Sequence, residues 1–118
     1  MNTQALYTNV QMGQVLVHQD EVYLAGRFAD ATPTGSDLHM QANNTLAAIE
    51  QLLADAGSDK SKLLSATIYL QNPTSDFETI DRIWEQWLPE GAAPDRTMLK
   101  AEWLTPDVLV EIAIVAAL

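Results

Sequence analysis

The sequence predicts a two-layer α+β domain in which two helices cover one face of a mixed sheet of four to six strands. Three observations carry this. Short β-branched runs open and close the chain, two stretches between them place apolar residues at helical spacing, and no linker, internal repeat or low-complexity tract divides the 118 residues. One domain spanning residues 1–118 is expected, long enough to bury most of its apolar surface without staples.

Val15–His18 and Val22–Ala25 are apolar runs separated by Gln19-Asp20-Glu21, which reads as a hairpin. Leu6–Met12 can add a strand before them. Ala31–Gly35, holding Pro33 and Gly35, is a loop. Ser36 then offers a cap for a helix to about Ala56. Its Leu38, Ala42, Leu46, Ile49 and Leu53 recur three and four apart and make one apolar stripe, and Gly57 supplies the stop.

Leu63–Leu70 carries Thr67, Ile68 and Tyr69 and reads as a strand, broken by Asn72-Pro73-Thr74. Ser75-Asp76-Phe77-Glu78 has the form of a capping box. It would open a helix to about Leu88 with Phe77, Ile80, Trp84 and Trp87 or Leu88 inward. Pro89 to Pro94 is a turn region. Arg96–Trp103 and Val108–Ala117 read as two final strands joined across Thr105-Pro106-Asp107.

The last strand is apolar on both faces apart from Glu111. A two-layer monomer buries only one face of its sheet, so its strands should alternate apolar and polar. The face bearing Leu109, Ala113 and Val115 therefore needs a cover. In so short a chain a second copy is the obvious one, with a strand buried by extra loops as the alternative.

Composition removes several function classes. The chain has no cysteine, which excludes a disulfide framework, a thiolate nucleophile and a Cys-based zinc site. Its formal charge is −10, and the six basic residues (Arg27, Lys60, Lys62, Arg82, Arg96, Lys100) are scattered, so binding to nucleic acid or to an anionic membrane is disfavoured. The N-terminal stretch lacks a basic segment followed by a long apolar run, and no stretch reaches the length of a membrane helix, so a cytoplasmic location is expected.

Glu111 is the polar residue that most needs an explanation. Burying a carboxylate is costly unless it is paired or hydrogen-bonded. Arg96 lies fifteen residues earlier, and a hairpin centred near Trp103-Leu104 would set the two opposite each other. A register shifted toward Thr105-Pro106 would bring Lys100 there instead. An ordinary ion pair buried at a subunit interface explains the same residues without any chemistry. His18 and His39 lack metal-ligand spacing, the five glycines make no phosphate loop, and no serine sits in a nucleophile elbow, so no metal is predicted.

Val22-Tyr23-Leu24-Ala25-Gly26, Ser65-Ala66-Thr67-Ile68-Tyr69-Leu70, Asp76-Phe77, Pro94-Asp95-Arg96-Thr97 and Val110-Glu111-Ile112, in this order and spacing, resemble the reactive-intermediate deaminase family, also called the YjgF or endoribonuclease L-PSP family. The resemblance covers nearly the whole chain. It implies a chorismate-mutase-like fold (bacillus type), built as a homotrimer whose sheets form a central barrel with a cleft at each subunit interface. It implies hydrolysis of 2-imino and enamine acids to 2-keto acids and ammonia, without a metal or organic cofactor. Arg96 would bind the substrate carboxylate, Glu111 would activate a water, and backbone near Gly26 and Met98 would line the cleft.

The chain also departs from the family pattern around that cleft. Ala25 stands where a serine is frequent, Met12 for a tyrosine, Met98 for a cysteine, Asp81 for an asparagine and Arg27 for a glutamine. Hydroxyl, thiol and amide groups are lost and a negative charge is gained at Asp81, which Arg27 can offset. A trimer that binds small carboxylates or 2-keto acids without turnover is thus the second expectation. A ribonuclease or translation inhibitor is the third, opposed by the acidic charge.

Overall fold

Where each strand sits in the sheet follows from how much of it can face water. In the computed structural model, described for residues 3–9, 13–27, 37–92, 94–102, 104 and 108–118, six strands and two helices run in the order β1 (Thr3–Asn9), β2 (Gly13–His18), β3 (Glu21–Arg27), α1 (Leu38–Asp55), β4 (Leu63–Leu70), α2 (Pro73–Trp87), β5 (Asp95–Lys100) and β6 (Val110–Ala117), with one 3-10 turn at Lys60–Lys62. The sheet order is β1-β2-β3-β6-β4-β5. All pairs are antiparallel except β4 with β5, which α2 joins as a crossover.

This order corrects the expected final hairpin. β5 and β6 are not neighbours, because β4 lies between them. The physical reason is composition. β6 is a near-continuous apolar run and takes a central slot, whereas β5 carries Asp95, Arg96 and Lys100 and suits an edge. Leu6–Met12 is likewise corrected at its start: β1 begins at Thr3 and pairs with β2, with an irregularity between Ala5 and Tyr7.

Burial alternates along the central strands even where polarity does not. Val110, Ile112, Ile114 and Ala116 of β6 are buried with Ala66, Ile68 and Leu70 of β4 and Val15, Val22 and Leu24 of the hairpin. Against this face pack Ala42, Leu46, Ile49 and Leu53 of α1 and Ile80, Ile83 and Trp84 of α2, so both helices lie on one side, as expected. Two exceptions arise on α2. Ile83 joins the core, and Phe77 stands 44% exposed at the helix start instead of turning inward.

The helix ends show which local signals prevail. Asp37, not Ser36, caps α1, its Oδ1 accepting the Met40 N–H at 2.9 Å, and Ser36 itself lies outside the described residues. Gly57 (φ 88°) lets Ser58 N–H reach Leu53 O at 2.8 Å and Gly57 N–H reach Ala54 O at 3.1 Å, the Schellman closure. The Ser75–Glu78 capping box does not form. Pro73, with its preset φ and missing N–H, takes the first helical position, and the Ser75 hydroxyl donates to Asn72 O at 3.2 Å.

Among the described residues no helix covers the opposite face of the sheet. It presents Leu16, Tyr23, Ser65, Thr67, Ala113 and Val115 around a shallow hollow of about 190 Å³. No helix among the described residues is long and apolar enough to cross a membrane.

Candidate functional site

Arg96 and Glu111, the two residues to which the sequence assigns chemistry, stand apart within one chain. Arg96 on β5 is level with Ala66 of β4, and Glu111 on β6 is level with Tyr69 of the same strand. They are therefore two strand spacings apart and offset by three residues, roughly 14 Å between backbones. The odd offset also puts them on opposite faces of the sheet. Arg96 shares the helix-covered face with Ala66, and Glu111 shares the open face with Ala113 and Val115. Neither of the two expected hairpin registers exists, so neither Arg96 nor Lys100 is set opposite Glu111 by strand pairing.

Each residue has its own surroundings. The Arg96 guanidinium lies between two side chains one turn apart on α2: it donates from Nη1 to Asp81 Oδ1, and its Cζ is 5.7 Å from the Phe77 ring centroid. Both members of the ion pair are about one-third exposed, at 27% and 31%. A pair so wet is worth less than about 1 kcal/mol, so a ligand can displace either partner at little cost. Arg96 and Asp81 also border a hollow of about 210 Å³ with Trp84, Glu85, Leu88 and Pro94. Met98, level with Ile68, packs against the core, so only the backbone of β5 there faces the sheet edge.

The second group forms at the other side of β4. β3 pairs regularly with β6 up to Leu24 opposite Ile114, then shifts register so that Arg27 meets Ile112. Ala25 and Gly26 occupy that irregularity opposite Ala113, a bulge that disrupts the ladder two residues from Glu111. Gly26, Arg27 and Glu111 are thus brought to one end of the sheet, while Arg96 and Asp81 are at its β5 edge. Met12 lies outside the described residues. His18 lies on the hairpin and His39 is exposed on α1, and no three His, Cys, Asp or Glu among the described residues gather as a metal site.

Sequence reasoning missed two participants. Phe77 was assigned to the core, although Phe77 and Asp81 stand four residues apart and must share a helix face. Tyr69 reads from the sequence only as a strand residue, yet its position beside Ser65 and Thr67 in the strand period places it on the open face opposite Glu111. On the same face Tyr23 donates its hydroxyl to Glu21 Oε1 at 2.5 Å. That bond, then desolvation and the negative charge of Glu21, hold the Tyr23 phenol above the ordinary tyrosine range.

Comparison with known proteins agrees with this fold. A family model described as endoribonuclease L-PSP matches residues 2–118. The RutC family protein YoaB of Escherichia coli (strain K12) is 37% identical over 103 residues, 87% of each chain. Among solved structures, an uncharacterized protein from Pseudomonas aeruginosa aligns with a TM-score of 0.88 at 32% identity, covering 98% of both chains. A member of the YjgF family from Neisseria meningitidis aligns with a TM-score of 0.85 at 28% identity, covering 99% of this chain and 95% of that one.

Proposed function

The chain belongs to the endoribonuclease L-PSP family, the family of RutC and YjgF proteins, and from that premise we propose that it hydrolyses 2-imino and enamine acids to 2-keto acids and ammonia. The carrying observation is the division of the site. Arg96 with Asp81 at one edge of the sheet and Glu111 with the Gly26 irregularity at the other end are two halves that one chain does not join. A cleft becomes complete where the first half of one copy meets the second half of a neighbour. The apolar open face of the sheet supports such an assembly, and a homotrimer closes it without leaving a free face.

In that cleft the planar fork of Arg96 matches a substrate carboxylate in a way a lysine does not. A 2-imino acid is already activated at C2. Glu111 of a neighbouring copy orients a water and takes its proton as the oxygen adds to C2, then returns that proton to the nitrogen. The carbinolamine breaks its C–N bond, releases ammonia and closes to the keto group with loss of the hydroxyl proton. The backbone at the Gly26 bulge offers hydrogen bonds to the adding oxygen or to the carboxylate. The reaction has no redox step, so no cofactor is invoked, and a cytoplasmic site of action goes with this reading.

A second reading, a trimer that binds small carboxylates without turnover, draws on Ala25, Met12 and Met98, which bring no hydroxyl or thiol to the cleft wall. The nuclease activity in the family description is disfavoured by the charge of −10 and the dispersed cations. Ammonia and keto-acid release from freshly generated 2-imino acids separates the first two. Glu111→Gln should retain 2-keto acid binding and lower the deamination rate by about 10² or more, whereas Arg96→Lys should chiefly weaken binding. Intact assembly with undiminished affinity and rate in both variants would remove the pair from the site.

A further inference from the structure

The guanidinium that would receive the substrate carboxylate already has a carboxylate partner in its own chain. Asp81 holds Arg96 Nη1, Phe77 packs on the guanidinium from α2, and the hollow beside the pair is bordered by a second acid, Glu85. Counting formal charges, Asp81, Glu85 and Arg96 leave that hollow at −1. A simple anion entering it must separate Asp81 from Arg96 and then sit beside two carboxylates. A ligand that carries a cationic nitrogen next to its carboxylate exchanges partners instead: its carboxylate takes the Arg96 fork and its nitrogen takes Asp81. Two charge pairs replace one, and the hollow stays at −1, whereas a simple anion would take it to −2.

We propose that Asp81 makes the Arg96 cleft selective for zwitterions, that is for 2-iminium and 2-amino acids over 2-keto acids of the same carbon skeleton. The inference rests on the assignment of Arg96 as the carboxylate-binding residue. It also gives the reaction a direction at the site. Hydrolysis of the iminium, R–C(=NH2+)–COO− plus water, yields R–CO–COO− and ammonium. The product has lost the cation that paired with Asp81 and keeps an anion that Asp81 repels. Asp81 is therefore a specificity residue that holds the substrate and expels the keto acid.

Titration calorimetry on the full chain with 2-aminobutyrate and 2-ketobutyrate tests this. Wild type should bind the amino acid more tightly. Asp81→Asn, isosteric at a partly exposed helix position, should tighten 2-ketobutyrate about tenfold and weaken 2-aminobutyrate about tenfold, since one full charge changes a few ångströms from the ligand. Asp81→Ser should shift both ligands in the same senses, and thermal unfolding of both variants checks that the fold is kept. Equal affinities for the two ligands in wild type, or a variant that moves both in one sense, would overturn the role of Asp81. If 2-ketobutyrate still bound in that case and Arg96→Ala abolished it, the Arg96 cleft would stand without the selectivity. If neither ligand bound any of these chains, the cleft assignment and the selectivity would both fall.

Discussion

Tyr23 shows how one residue ties acid–base chemistry to the uncovered face. Its hydroxyl donates to Glu21 Oε1 at 2.5 Å across two positions of β3, both on the open side of the sheet. The hydrogen bond to Glu21, with desolvation and Coulomb repulsion behind it, raises the phenol's pKa. A folded-state pKa above the unfolded one means that the neutral phenol is favoured by folding. Its contribution is complete below the unfolded tyrosine value of about 10 and is lost as pH climbs through the raised folded value. Stability measured by urea unfolding should therefore fall more steeply with pH above about 10 in wild type than in Tyr23→Phe. Parallel slopes in the two proteins would mean that the bond to Glu21 adds nothing to folding. Sequence could not show this pair, since Gln19-Asp20-Glu21 reads as the turn, whereas the structure tightens the turn to Gln19 and Asp20 and begins β3 at Glu21.

At the scale of elements, the two-residue connection of β2 to β3 is the place where the backbone is strained. His18 pairs with Glu21, leaving Gln19 and Asp20 as the turn, and Gln19 has a φ of 57°, the only positive φ of a non-glycine among the described residues. A positive φ at the first of two hairpin residues is where glycine is favoured, and an L side chain there costs roughly 1–2 kcal/mol. Gln19→Gly should raise stability by about 0.5–1 kcal/mol, the remainder being lost to the freer unfolded chain. A higher urea midpoint with an unchanged slope, at fixed protein concentration, is the expected record. The elements themselves were largely legible. The stripe Leu38, Ala42, Leu46, Ile49, Leu53 marks α1, and Leu63–Leu70 is β4 to the residue. Signals that compete locally were not: Asp37 displaced Ser36 as a cap, and Pro73 pre-empted the Ser75 box. Strand order was the larger miss. Periodicity tells which face a residue takes and says nothing of which strand lies beside it, so β4 between β5 and β6 was invisible, and with it the separation of Arg96 from Glu111.

The whole molecule is an open sandwich, and its predictions concern what closes it. Six strands spaced about 4.8 Å apart and some 20 Å long present a face of roughly 600 Å², comparable with the ~800 Å² per partner of a stable interface. Leu16, Ala113 and Val115 on that face are apolar, and no helix among the described residues covers them. Light scattering at micromolar concentration should give about three times the 13.0 kDa chain mass, and a clean monomer would remove the cleft along with the assembly. Geometry permits a sharper test than mass. If each cleft takes Arg96 from one copy and Glu111 from the next, Arg96→Ala chains and Glu111→Gln chains should each be inactive alone yet restore activity when unfolded together and refolded. Random assembly leaves about one cleft in four with both wild-type residues, so recovery should approach a quarter of the wild-type rate per chain. A site contained in one chain would recover nothing on mixing, because every chain would then carry its own defect into its own cleft.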